Sequence, residues 1–379
     1  MRALARLVLA VVASSAVACS GLYTGFPDGG GDAGAGGGAG GGSGGGSGGG
    51  TGGGAGGGAG GGVGGGAGGG GAGPLNFAFT ALSAPVETRF TAIAGVSATK
   101  FWVGASSGNL YVSDGASFTQ VAAFGSEVRG LWASSDGAVV ATTPTEIQRC
   151  TAGCDVAGAT FNIFTVPSSV DARGACGASR TEMYVAAYSN TGNSVFYGTS
   201  GGTQFTSLSY TSNTKEITSC AVLPNGKVLI PGIQDLLTWR PDAGGSGEYV
   251  YLTPLGSEND TQQWRGVAVD AADAGAVAVG DARRVMRRGG TGSWTLDFNP
   301  GPTDAGLVFR AVTSVRPGEY WAGGDARAGQ ALAYDDGAGW TFSAQPAGFS
   351  TWGLWTAGPN TFFAAGEKGG VGAVYRASR

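Results

Sequence analysis

The side chains best suited to chemistry in this sequence are arginines and carboxylates that recur at matching places along the chain. The arginines are Arg129, Arg173, Arg265 and Arg310, and the carboxylates are Asp281, Asp325 and Glu367. Guanidinium groups bind carboxylates, and paired carboxylates can hydrolyse glycosidic bonds. Because these residues recur in successive units and not at one asymmetric site, the pattern favours ion pairs between neighbouring units. Such pairs contribute roughly 0–1 kcal/mol each when exposed.

Several classes of function are excluded by residues that the chain lacks. It contains no histidine, which rules out a Ser-His-Asp triad and imidazole metal ligation. No P-loop or EF-hand spacing occurs, so we expect neither a cofactor nor a metal. A net charge of −4 with scattered basic residues argues against nucleic acid as a partner.

The five cysteines divide into one that stands alone and four that can pair. Cys150 and Cys154 bracket a three-residue turn, and a disulfide between them is the favoured interpretation in an exported protein. Cys176 and Cys220 fall in equivalent strands of adjacent units, which makes a second bridge feasible. Four cysteines still permit three connectivities.

A four-strand unit, clearest between residues 309 and 345, repeats through the folded part of the chain. Each fourth strand opens with an aromatic residue, and these are Phe77, Phe118, Phe161, Phe205, Tyr249, Trp294 and Trp340. A four-stranded unit of about 44 residues without a helical period is typical of a propeller blade. The sequence therefore predicts an all-β, seven-bladed propeller over 75–379. Its last copy lacks a fourth strand, which residues 76–82 would supply by pairing with 372–377.

The segment ahead of the propeller reads as an export signal followed by a tether. Residues 1–18 form a signal peptide with a charged start and a short apolar run. Its end, Ala16-Val17-Ala18-Cys19, resembles a bacterial lipobox, which implies lipidation of Cys19 and a lipidated terminus over 19–28; ordinary export with cleavage at the same bond is the alternative. Residues 29–74 are a Gly-rich linker that cannot bury a core, with a span of roughly 35–40 Å.

The repeat resembles degenerate Asp-box propellers and the photosystem II assembly-factor type. The match is carried by AVTSVRPGEYWAGG at 311–324, by DDGAGW at 335–340 and by SDGASF at 113–118. The tether is similar to those of myxobacterial surface lipoproteins. That resemblance implies an outer-membrane-anchored lipoprotein of the cell envelope.

Two functional classes stay open. The first is a non-catalytic, monomeric platform that binds an envelope protein or a glycan. Its candidate contacts are the loops 104–109, 187–194, 280–284 and 323–330, the arginines and carboxylates above, and Trp264 and Trp352 at the mouth of a central channel. The second is a carboxylate-based glycoside hydrolase or lyase of the sialidase-like propeller class. We expect the platform and no enzymatic activity.

Overall fold

The computed structural model describes most of the repeat-containing region. The described residues are 77–189, 194–199, 205–209, 218–232, 235–239, 248–251, 263–270, 275–289, 293–299, 307–325, 330–343 and 346–379. The predicted signal peptide, Cys19 and the Gly-rich linker lie outside them.

All regular structure in these residues is β-strand, arranged in antiparallel four-stranded sheets. Strand β1 (Ala78–Ala81) belongs to the last sheet and is treated below. Sheet 1 contains β2 (Phe90–Ser97), β3 (Lys100–Ala105), β4 (Asn109–Ser113) and β5 (Phe118–Ala123). Sheet 2 contains β6 (Gly130–Ala133), β7 (Val139–Thr142), β8 (Glu146–Cys150) and β9 (Asn162–Thr165). Sheet 3 contains β10 (Val170–Ser179), β11 (Glu182–Ser189), β12 (Ser194–Thr199) and β13 (Phe205–Ser209).

The same order of strands continues to the end of the chain. Sheet 4 contains β14 (Ala221–Val222), β15 (Val228–Pro231), β16 (Asp235–Trp239) and β17 (Glu248–Tyr251). Sheet 5 contains β18 (Trp264–Val269), β19 (Ala276–Gly280), β20 (Val285–Arg288) and β21 (Trp294–Phe298). Sheet 6 contains β22 (Phe309–Arg316), β23 (Glu319–Gly324), β24 (Leu332–Asp335) and β25 (Thr341–Ser343). Sheet 7 contains β26 (Phe349–Gly358), β27 (Thr361–Lys368) and β28 (Val371–Ser378), with β1 on its outer edge.

The first strands of the sheets form the inner wall of a closed ring. They contact one another in the cycle β2, β6, β10, β14, β18, β22, β26 and back to β2, so all seven sheets take part. The ring is completed by β1, which pairs with β28 from Ala78 opposite Ser378 to Ala81 opposite Tyr375. The predicted closure by the amino-terminal strand is confirmed, and it covers a sheet edge that would otherwise expose unpaired backbone groups.

The inner strands are unequal, and this corrects the expectation of seven complete blades. Six of the described inner strands have four residues or more, whereas β14 has only Ala221 and Val222. In the register that pairs Ala221 with Leu229, a longer β14 would place Ser219 opposite Pro231. Proline has no N–H to donate to the ladder. The propeller therefore has six blades with a complete inner strand, and sheet 4 is reduced.

The second strand of each described sheet is a continuous buried run. In β19 and in β7 every residue is buried, as expected for a short apolar run bounded by turns. Neighbouring sheets cover both faces of these strands. Trp102 in β3 shows the fit between sheets, because its indole N–H donates at 2.9 Å to the carbonyl oxygen of Cys154, in the loop between β8 and β9.

Two disulfides fix neighbouring parts of the ring. Cys150 is bonded to Cys154 beside β8, and Cys176 in β10 is bonded to Cys220 just before β14. Both predicted pairings are confirmed. The second bridge joins the inner strands of sheets 3 and 4 at the place where β14 is shortest.

Small residues let the inner strands approach each other closely. A Cβ atom on Gly130 would lie 2.2 Å from the carbonyl oxygen of Arg173, and one on Gly174 would lie 2.4 Å from the Cα of Ser219. Real Cβ atoms do not approach other heavy atoms so closely. Glycine at these two positions therefore sets how tightly the channel wall can close.

Candidate functional site

The starts of the inner strands surround a cavity of about 410 Å³ at the centre of the ring. Along each inner strand, the residue at the rim is followed by a small residue and, in most strands, by an apolar residue. The rim residues are Thr91, Arg129, Arg173, Thr218, Arg265, Arg310 and Trp352. Aliphatic side chains such as Ile93, Leu131 and Leu354 lie one step deeper. We call the rim, together with Arg89 beside it, the arginine mouth.

One part of the arginine mouth is a continuous chain of ion pairs. Arg89 contacts Glu127 at 2.9 Å, and Glu127 also contacts Arg129 at 3.5 Å. Arg129 in turn contacts Asp171 at 2.5 Å, and Asp171 contacts Arg173 at 3.0 Å. The chain runs across sheets 1, 2 and 3, so pairing between neighbouring units occurs here as the sequence suggested.

The carboxylates in this chain were missed by the sequence analysis. Glu127 and Asp171 each stand two residues before an arginine of the rim, in Glu127-Val128-Arg129 and Asp171-Ala172-Arg173. The two carboxylates precede their arginines by the same spacing, so the repeated acid-x-Arg motif was the available signal.

The carboxylates that the sequence did single out pair differently. Asp281 accepts from Arg265 at 2.6 Å, and Asp325 accepts from Arg310 at 2.5 Å. Each pair lies within one sheet, so the expectation of pairing between neighbours is wrong for these two. The reason is the antiparallel hairpin, which puts the end of each second strand beside the start of the first. Glu367 holds the matching place in sheet 7, where Trp352 replaces the arginine.

Trp352 is sandwiched between two guanidinium groups. The Cζ of Arg89 lies 4.0 Å from the ring centroid and that of Arg310 lies 4.2 Å from it. Cation–π contacts of this kind are worth roughly 0.5–2 kcal/mol each, depending on desolvation. Both faces of the indole are covered, so Trp352 has no free face on which a sugar ring could stack.

Trp264 does not take part in the mouth. It is 2 % exposed and packs with Leu223, Leu229 and Ala276 in the core between sheets 4 and 5. Its neighbour Arg265 lines the cavity. The register of β18 shifts between Trp264 and Gly266, so Arg265 is the extra residue of a β-bulge, and a bulge redirects the side chain at that position.

The arginine mouth is asymmetric because sheet 4 interrupts it. Contacts run without a break from Arg310 through Trp352 and Arg89 to Arg173. In sheet 4 the rim residue is Thr218, whose hydroxyl donates to the backbone carbonyl of Arg265 at 2.6 Å. Beyond this gap Arg265 uses its Nε to hold Asp281. One stretch of the rim is thus cross-linked and another is open.

The charges of the mouth balance. Five guanidinium groups, those of Arg89 and the four rim arginines, face Glu127, Asp171, Asp281 and Asp325. Glu367, at the matching place in sheet 7, brings the carboxylates to five, so the positive and negative charges are equal in number. The mouth therefore suits a polar ligand better than a polyanion.

A hydrogen-bonded cluster holds the segment that leads to Arg89. Glu87 accepts from the amide of Asn109 at 2.8 Å and from the hydroxyl of Tyr111 at 2.7 Å. Burial raises the pKa of Glu87, but these hydrogen bonds outweigh it and leave that pKa lowered. Burial and the neighbouring Glu87 raise the pKa of Tyr111 to about 12. The cluster fixes the backbone just before the mouth.

The loop after β19 has an unusual backbone. Ala282 and Arg283 both have positive φ angles, of 55° and 54°. The buried Arg283 donates to the carbonyl oxygens of Asp325 at 2.8 Å and Gln330 at 2.6 Å, so it holds the ends of the neighbouring loop. Arg283 was not identified from the sequence. The loops 104–109 and 280–284 are described in full, and 187–194 and 323–330 in part.

The described residues contain neither a metal-ligand cluster nor a membrane-spanning helix. No cluster of three or more potential metal ligands occurs among them. None of the elements described there is a helix long and apolar enough to cross a membrane.

Comparison with known proteins supports the fold. No family profile matches the chain, and no curated protein matches it either. Among solved structures, a catalytically inactive histidine-to-alanine variant of virginiamycin B lyase from Staphylococcus aureus with quinupristin has 14% identity and a TM-score of 0.65, covering 80% of this chain and 99% of that one.

Two further structures, of other proteins, are also similar. YCF48 bound to D1 peptide has 14% identity and a TM-score of 0.59, covering 79% of this chain and 97% of that one. The RRP9 WD40 repeats have 12% identity and a TM-score of 0.63, with coverage of 79% and 97%. These similarities show a propeller fold shared by proteins of different function.

Proposed function

We propose that this protein is a non-catalytic binding platform, anchored in the bacterial outer membrane by a lipid on Cys19, that takes a peptide segment of an envelope protein at the arginine mouth. The observation that carries the proposal is the mouth itself. Guanidinium donors ring a cavity of about 410 Å³ whose deeper wall is aliphatic. That combination can bind backbone carbonyl or carboxylate oxygens at the rim and one apolar side chain below.

Peptide is favoured over glycan by the state of Trp352. Protein sites for sugars commonly use an aromatic face, and here Arg89 and Arg310 cover both faces. Peptide oxygens need N–H donors instead, and Arg265 makes its described hydrogen bond through Nε alone, which leaves its terminal nitrogens for a ligand. YCF48, of similar fold, is a protein bound to a peptide.

A catalytic role has less support. The similar lyase is inactive when one histidine is replaced by alanine, and this chain has no histidine at all. Glycoside hydrolysis needs two carboxylates across the scissile bond. Among the described residues that line the cavity, Glu127 is the acidic one, and it is shared by Arg89 and Arg129.

The envelope location is proposed from the sequence. A lipobox-like end to the signal, an unpaired Cys19 and a Gly-rich segment of 29–74 together suit a domain held away from a membrane. The composition of that segment predicts a span of roughly 35–40 Å. Labelling with a fatty acid should mark the wild-type protein and not Cys19→Ser. A wild-type protein that is soluble and unlabelled would contradict the proposed lipid anchor.

The binding role is tested with displayed random peptides and a glycan array, both probed with the propeller domain. We expect peptide clones whose binding falls at least tenfold with Arg265→Gln and with Trp352→Ala. The matched control is Arg180→Gln, because Arg180 pairs with Asp136 at 3.0 Å on the surface away from the mouth. Clones that bind all variants equally, or glycans that bind through the mouth, would contradict the proposal.

A further inference from the structure

The part of the arginine mouth formed by sheets 4 and 5 differs from the rest of it. Elsewhere the rim is cross-linked between sheets by ion pairs or by contacts with Trp352. Here the rim residues are Thr218 and Arg265, which are joined because the Thr218 hydroxyl donates to the carbonyl oxygen of Arg265 at 2.6 Å. We call Thr218, Arg265 and the next residue of sheet 4, Ser219, the open arc.

Ser219 is the polar member of a layer of small residues just below the rim. In sheet 4 this layer contains Ser219, and in the other six sheets it contains Ala92, Gly130, Gly174, Gly266, Ala311 and Gly353. The hydroxyl oxygen of Ser219 is buried and has no hydrogen-bond partner among the described residues. Because buried polar groups are ordinarily hydrogen-bonded, an unpaired hydroxyl on a residue that lines a cavity indicates a ligand that supplies the partner.

The cavity also has its smallest apolar side chain beside this hydroxyl. Sheet 3, the neighbour of Ser219, contributes Ala175 to the deeper layer. The backbones of the two sheets are close there, since a Cβ on Gly174 would lie 2.4 Å from the Cα of Ser219. The other residues that line this deeper layer are larger, and they are Ile93, Leu131, Val267, Val312 and Leu354. Ala175 therefore leaves space for the aliphatic part of a ligand side chain next to Ser219.

Arg265 supplies hydrogen-bond donors at the rim above this space. Its Nε donates to Asp281 at 2.6 Å, and no described residue accepts from its terminal nitrogens. The charge of the guanidinium is already matched by Asp281, so a carboxylate arriving here would be repelled by Asp281 without an unpaired cation to bind. A neutral oxygen acceptor avoids that repulsion. The open arc therefore suits an uncharged group that accepts from Arg265 and pairs with Ser219.

We propose that the open arc is a subsite for a carboxamide side chain, that of asparagine or glutamine, on the peptide that binds the arginine mouth. The proposal rests on the peptide-binding role proposed above. A primary amide has a carbonyl oxygen that accepts from Arg265 and an NH₂ group that donates to Ser219. A hydroxyl side chain has one polar atom for these two positions, and a cationic side chain has donors alone. An apolar side chain leaves the hydroxyl of Ser219 buried and unpaired.

Displayed peptides that lose binding with Trp352→Ala provide the test. We expect asparagine or glutamine to recur at one position of these clones. Replacing that residue by leucine should weaken binding to the wild-type propeller about tenfold, and should weaken binding to Ser219→Ala by less than about threefold, because that variant has no hydroxyl to leave unpaired. The matched control adds Ala311→Ser to Ser219→Ala. It moves the hydroxyl to sheet 6 in the same layer and should not restore the preference.

The thermal stability of the free propeller gives a second measurement. Ser219→Ala should leave its Tm unchanged or raise it, because the hydroxyl that is removed had no partner. A Tm lower by several degrees would overturn the subsite, since it would show that Ser219 is paired without a ligand. Clones that depend on Trp352 but lack a recurring carboxamide, or that show the same leucine penalty with Ser219→Ala, would overturn the subsite and leave the peptide-binding role intact. Absence of any clone that depends on Trp352 would overturn both.

Discussion

Cutting the bridge between sheets 3 and 4 should destabilise the propeller more than cutting the bridge beside β8. The perturbation is a pair of matched double variants, Cys176→Ala with Cys220→Ala, and Cys150→Ala with Cys154→Ala. All four cysteines are at most 9 % exposed, so each variant removes two buried sulfur atoms. What differs is the length of chain that each disulfide closes.

The magnitude follows from that length. The bridges have sequence separations of 44 and 4 residues. Restricting the unfolded chain gives about 4 kcal/mol for the longer loop and about 2 kcal/mol for the shorter one. For a domain of roughly 300 residues, these values correspond to losses in Tm of about 6 °C and about 3 °C. The reduced inner strand β14 adds a local effect, because Cys220 directly precedes it.

Calorimetry on the purified propeller domain, with both variants and the wild type at one scan rate, gives the two shifts. Hydrogen exchange then locates the change, which we expect at β14 and β15 for the Cys176 and Cys220 variant. Equal losses in Tm, or a larger loss without the Cys150–Cys154 bridge, would refute the argument from loop length. Exchange that rises evenly around the ring would refute the local role of the bridge in sheet 4.

Two other perturbations test the closure of the ring and the loop after β19. A chain that begins at Ser83 lacks β1 and the packing of Phe77 and Phe79. Its free energy of unfolding should fall by several kcal/mol, and it should aggregate. If it melts as cooperatively as a chain that begins at Leu75, and at the same temperature, β1 does not close the ring. Ala282→Gly should raise the free energy of unfolding by about 1 kcal/mol, because glycine adopts a positive φ without strain; urea titration showing a loss of stability would place the cause elsewhere.

Much of the fold could be predicted from the sequence because the patterns that indicate it are local. The apolar run 276–280 matches β19, and Phe118, Phe205 and Trp294 begin β5, β13 and β21 as expected. Each run is short, apolar and bounded by turns, which predicts a strand whose two faces are buried against neighbouring sheets. Closure by residues 76–82 could also be predicted, because the last repeat lacks a fourth strand and the first repeat is preceded by an extra one.

The length of β14 and the ion-pair partners of the arginines could not be predicted from local sequence patterns. Pro231 limits β14 only through its register with Ser219, and a register is a relation between strands. Likewise, Arg129 reaches Asp171 of the next sheet, which depends on how two sheets pack. The different positions of Trp264 and Trp352 also depend on register, because the β-bulges fall at Arg265 in β18 and at Trp352 in β26.

The pairing of β1 with β28 also has a mechanical consequence. A pull on the chain ahead of Phe77, directed away from the ring, runs along the axis of β1. The residue pairs from Ala78 to Ala81 then resist together in shear, whereas a pull across the strand would open them one after another. Strand β1, which closes the ring, is therefore also the strand that bears this load. Its rupture rate under load, which is a kinetic quantity, would set how long the ring stays closed.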